Sequence, residues 1–113
     1  MRYMMLICED ESVAFTEEED RATMAAIDVW VREMNDRNVR VQGNRLRPVS
    51  DATAVRVRGG EVLLADGPFA EAKEQIAGYD IIDCANLDEA IEVAAKHPVA
   101  AFGTIEVRPL LPE

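Results

Sequence analysis

Basic residues are scarce in this chain. Twelve lysines and arginines stand against 22 aspartates and glutamates, giving a formal net charge of -10, and such a surface repels a phosphate backbone. Nucleic acid is therefore not an expected partner. Histidine occurs once, at His97, and cysteine twice, at Cys8 and Cys84, too few and too scattered for the usual zinc shell, so no metal is expected. Both cysteines lie in apolar, strand-like runs, the setting of inert buried thiols rather than of a disulfide framework. Long hydrophobic runs are missing as well. The stretch from Tyr3 to Cys8 is far short of the roughly 20 residues that cross a bilayer. Acidic Glu9, Asp10 and Glu11 follow it without a signal-peptide cleavage pattern, so a cytoplasmic protein with no membrane partner is expected. A glycine-rich phosphate loop, a nucleophile elbow and internal repeats are all absent, and Met24 and Met34 sit on a helical core stripe rather than in a haem or flavin box. No cofactor is expected.

What is present reads as a single domain over residues 1–113. Hydrophobic residues make up 49% and charged ones 30%, ordinary globular values, and a chain of 113 residues is long enough for one core. "YMMLIC" (3–8) lacks polar alternation, the pattern of a strand buried on both faces. Thr16 with Glu19 forms a capping-box pattern, and Met24, Ile27, Val31 and Met34, with Trp30 on the same side, recur at helical spacing. These predict a long amphipathic helix over about 17–37. "VRVQG" (39–43) reads as a short strand or the approach to one, and Pro48, Ser50 and Asp51 mark a loop. "TAVRVRGGEVLLADG" predicts a hairpin turning at Gly59-Gly60, with Val55 and Val57 facing one way and Arg56 and Arg58 the other.

Beyond Asp66-Gly67-Pro68-Phe69, "AEAKEQIA" (70–77) predicts a short helix and "GYDIIDC" (78–84) a strand. Asn86 with Glu89 caps a second helix whose apolar stripe is Leu87, Ala90, Ile91 and Ala94. His97-Pro98 stops it, and "FGTIEVRP" (102–109) is the last strand. Strands flanking crossover helices in this order predict an α+β, ferredoxin-like sandwich with an antiparallel sheet and two helices on one face. Apolar residues on both sides of strands 3–8 and 78–84 leave the other sheet face needing cover. A homodimer with sheet facing sheet supplies it.

"YMMLI", "DGPFAEAKEQIAGYDII", "LDEAIEVAAKHP" and "GTIEVRP" together resemble the YCII-related proteins of the DGPF subgroup, over essentially the whole chain. The resemblance implies a dimeric α+β barrel. It also implies a family of largely unsettled activity, whose relatives are often encoded beside extracytoplasmic-function sigma factors. More distant members of the barrel superfamily are small-molecule enzymes such as isomerases and monooxygenases. A histidine–aspartate pair has been suggested as acid and base in YCII-like proteins, but the long first helix here holds no histidine. His97 is expected instead to be a cation near the negative end of the second helix.

Asp66 is the leading catalytic candidate, an acidic side chain at a strand end that could serve as general base. The same carboxylate can equally fix the turn through backbone N–H groups, with Phe69 plugging the core. Phe69, Lys73, Arg56, Arg58, Glu106 and Arg108 are the candidate substrate-binding residues. The arginines point to an anionic ligand, and Glu106 and Arg108 either pair along their strand or face a pocket. Two functions remain open: a small-molecule enzyme or binding protein with a pocket near Asp66, and a non-catalytic regulatory partner, linked to a sigma factor, that uses the acidic face.

Overall fold

The computed structural model describes residues 1–112. Along the chain run β1 (Arg2–Glu9), α1 (Glu17–Asp36), β2 (Arg40–Arg45), β3 (Thr53–Arg58), β4 (Glu61–Asp66), β5 (Gln75–Asp83), α2 (Leu87–Ala95) and β6 (Thr104–Pro109). Short 3-10 turns sit at Val49–Asp51 and Pro98–Ala101. A four-stranded sheet of order β2-β5-β1-β6 is antiparallel at every pairing, and β3 and β4 form a separate two-stranded ribbon. With the ribbon set aside, this is the ferredoxin-like α+β arrangement expected from the element order.

Local chemistry sets the helix ends. Thr16 Oγ1 accepts from the Glu19 N–H at 3.1 Å, and Glu19 Oε1 accepts from the Thr16 N–H at 2.9 Å, so the expected capping box is present. Glu17, Glu18, Glu19 and Asp20 place negative charge in the first turn, where the helix dipole favours it. Asn38, with φ of 57°, ends the helix in the left-handed conformation and turns the chain into β2. Asn86 Oδ1 caps α2 by accepting from the Glu89 N–H at 3.0 Å.

The core lies between the sheet and the helices. Tyr3 and Met5 of β1 and Ile82 of β5 meet Trp30 and Met34 of α1 and Ala90, Val93 and Ala94 of α2. Trp30 Nε1 donates to the Val93 carbonyl at 3.0 Å, which satisfies the indole inside the core and joins the two helices. On the opposite sheet face the register places Leu6 beside Tyr79 and Met4 beside Ile81, flanked by Glu106 and Arg108 on β6. Cys84 is buried, and burial, with Glu89 adding to it, pushes its thiol up to about 11, consistent with an inert core thiol.

Three expectations require correction. The stretch 70–77 is not helical: it runs irregularly to Gln75, where β5 begins. Its helix-favouring alanines and glutamates are overridden by pairing of Ile76 and Gln75 with Cys8 and Glu9. The buried face of α2 is Ala90, Val93 and Ala94, whereas Leu87 and Ile91 are half exposed. Phe69 does not plug the core, because it is 77% exposed.

Candidate functional site

Between α1 and the β2–β5 side of the sheet lies a cavity of about 550 Å³. Its apolar wall comes from Met24, Ile27 and Val31 on α1 and from Ile7 and Val99, and Phe15 and Phe102 also line it. The two phenyl rings pack with centroids 5.2 Å apart, tying the β1–α1 loop to the segment that precedes β6.

The sheet side of the cavity is polar. Asp80 stands at a core-facing position of β5, only 5% exposed, and its Oδ1 accepts from Arg40 Nε at 2.8 Å. Burial raises the Asp80 carboxyl above its ordinary value, and the Arg40 guanidinium opposes that rise without cancelling it. Gly43, paired with Asp80 across β2 and β5, leaves the space that this carboxylate occupies. The side chain is thus held on three sides, by its strand, by Arg40 and by a missing Cβ.

His97 lines the same cavity and is 3% exposed. Its Nδ1 accepts from the Val99 N–H at 3.1 Å, and its ring meets Trp30 edge-on at 4.9 Å. Burial lowers its pKa to about 4, so the imidazole is neutral at physiological pH and carries its proton on Nε2. The expectation of a cationic His97 at the end of α2 is therefore corrected: it caps the following 3-10 turn as a neutral acceptor. Desolvation outweighs any attraction to the helix dipole here.

The sequence-predicted residues lie elsewhere. Asp66 is an exposed residue at the end of β4, and the turn after it is held by Gly67 N–H donating to the Ala52 carbonyl at 2.7 Å, a bond between backbones. Phe69 lies under the Arg56 guanidinium, 4.9 Å from ring centroid to Cζ, beside an apolar groove lined by Leu46, Val49, Pro68 and Ile76. Arg58 is at the tip of the hairpin, Lys73 is exposed in the irregular stretch, and Glu106 and Arg108 pair with each other at 3.7 Å on the sheet face away from the helices. The structure brings Arg56 and Phe69 together. It does not unite either with Lys73, Glu106 or Arg108 in one pocket.

Asp80 and Gly43 escaped sequence reasoning. The available signal was an aspartate at an inward position of an otherwise apolar strand, "YDII", since a carboxylate is seldom fully buried without a partner.

An antiparallel sheet with two helices on one face defines a ferredoxin-like α+β protein, with a polar-floored cavity beneath the longer helix. The chain belongs to the family of the YCII-related domain, which it matches over residues 1–113. It is 40% identical, over 114 aligned positions, to an uncharacterised protein of Rhizobium meliloti, covering 97% of this chain and 92% of that one. Among the described residues no helix is long and apolar enough to cross a membrane.

Proposed function

We propose that this protein binds a small, largely apolar organic molecule in the cavity beneath α1 and exchanges a proton with it through Asp80. The observation that carries this is a buried carboxylate with a raised pKa on the polar floor of a cavity whose α1 wall is apolar, an environment that acid–base sites use. Arg40 orients the carboxylate and favours its ionised, proton-accepting form against the burial that raises its pKa. Neutral His97, with Nδ1 already engaged, offers Nε2–H as a hydrogen-bond donor. The pair resembles a tautomerising site in kind, one group taking a proton and another polarising the molecule that loses it.

The lining also favours a charge class. Glu9, Asp20, Asp28 and Asp80 outnumber Arg40 and Arg45, and His97 is neutral, so a neutral or cationic ligand meets less repulsion than an anion. Matched libraries of neutral, cationic and anionic aromatic compounds, screened by thermal shift, test this. Stabilisation by neutral or amine compounds that is lost in Asp80→Asn is expected. Stabilisation confined to anions, or undiminished in Asp80→Asn, contradicts it.

The assembly we infer is a homodimer with sheet facing sheet, the dimeric barrel implied by the DGPF-type motif. It is supported by Met4, Leu6, Tyr79 and Ile81 at the centre of the face away from the helices, with polar Glu106 and Arg108 at its rim. Light scattering at micromolar concentration should give about twice the 12.5 kDa chain mass.

A further inference from the structure

We propose that the β3–β4 ribbon is an assembly arm whose apolar face is covered by a second copy of this chain. The pairing puts Val55 opposite Leu64 and Val57 opposite Val62, so all four side chains share one face of the ribbon. They are 57% to 69% exposed. The other face carries Arg56, laid over Phe69, and is already partly covered from within the chain. The bare face is therefore specific to one side, as an interface is.

A two-stranded ribbon alone in water is marginally stable, and this one pairs with no strand of the main sheet. The whole molecule shows the same shortfall of contacts. Its radius of gyration is 16.0 Å, where a compact domain of this length has about 13 Å. Its accessible surface is 7978 Å², roughly 1,800 Å² above the 6,200 Å² or so typical of a monomer of this mass. An excess of that order on each chain is what large, permanent interfaces bury.

Area and charge together favour a second copy as the occupant. The ribbon carries Arg56 and Arg58 against Glu61 and Asp66 and is neutral in sum, so its bare apolar face meets another copy without a charge barrier of its own. The excess surface on each chain is of the size that two copies bury against each other, whereas a net charge of -10 disfavours anionic lipid and nucleic acid.

This rests on the homodimer proposed above, and one sedimentation experiment separates the two. Full-length wild type, Val57→Lys/Leu64→Lys, the milder Val57→Thr/Leu64→Thr, which retains β propensity, and an α2 surface control, Ile91→Lys, are compared over a concentration series, with folding checked by circular dichroism. Expected are an assembled wild type and control, and a self-dissociation constant raised at least about 100-fold in the lysine variant and less in the threonine variant. A wild type and both arm variants that assemble equally would overturn the arm while leaving the sheet-faced dimer standing. A wild type at the single-chain mass at all concentrations overturns both.

Discussion

Gly43 and Asp80 are fitted to each other: a Cβ built on Gly43 would lie 2.7 Å from Asp80 Cγ and 2.7 Å from the Tyr79 carbonyl oxygen. The second contact is with backbone, which cannot swing aside. Gly43→Ala should therefore push β2 away from β5 or turn the carboxylate out of the cavity, at a cost of about 1–3 kcal/mol. Urea denaturation measures the loss. An alanine variant as stable as wild type shows that the two strands have slack.

The Arg40–Asp80 pair gives a signed pH dependence. Because burial holds the Asp80 carboxyl above its ordinary 3.8, the folded state takes up that proton more readily than the unfolded chain. The favourable contribution is complete below the ordinary value and is lost as pH rises through the folded one. Arg40→Met removes the opposing influence, so the loss should become larger and extend to higher pH, reaching about 3 kcal/mol near pH 7 for a carboxylate left without its partner. Denaturation midpoints from pH 3.5 to 7 should show this steeper fall in Arg40→Met and its disappearance when Asp80→Asn is added.

His97 acts in the opposite direction. Its pKa is lowered from 6.5 to about 4, so the unfolded chain binds the extra proton first as the solution is acidified. Stability from this group is complete above pH 6.5 and is lost as pH falls toward 4, a change on the order of 3 kcal/mol. His97→Gln should flatten that loss. His97 is the single histidine of the chain, so its imidazole proton resonances can be followed directly, and they should show no protonation at pH 5.5 in the folded protein. A midpoint near 6.5 contradicts the burial of a neutral ring.

Phe69 is exposed and touches Arg56 from one side, so Phe69→Ala should change stability by less than about 1 kcal/mol. A buried phenylalanine would lose about 3–5 kcal/mol on the same truncation. Thermal denaturation distinguishes the two.

The sequence was most legible where structure is local. The Thr16–Glu19 box, the Asn86 cap and the Gly59-Gly60 turn are each made within a few residues, and all three form as the pattern predicts. Legibility failed where distant partners decide. Residues 75–77 join the sheet because β1 offers hydrogen bonds that no local propensity reveals. The place of the Asp80 carboxylate is set by Arg40, 40 positions earlier, and by a glycine on the neighbouring strand. Phe69 was misassigned because hydrophobicity alone does not distinguish a core plug from a ring supporting an arginine on a projecting arm.

The most direct test of the Asp80 cavity is amide-correlation NMR of the uniformly labelled wild-type chain, titrated with a library of small neutral and amine-bearing aromatic fragments. Binding in the cavity predicts shift changes concentrated at Ile27, Asp28, Asn44, Asp80 and His97, and their loss in Asp80→Asn. Shifts confined to Arg47, Ala52, Phe69 and Ile76, at the groove by the arm, would contradict it and place ligand recognition at the Asp66–Phe69 turn instead.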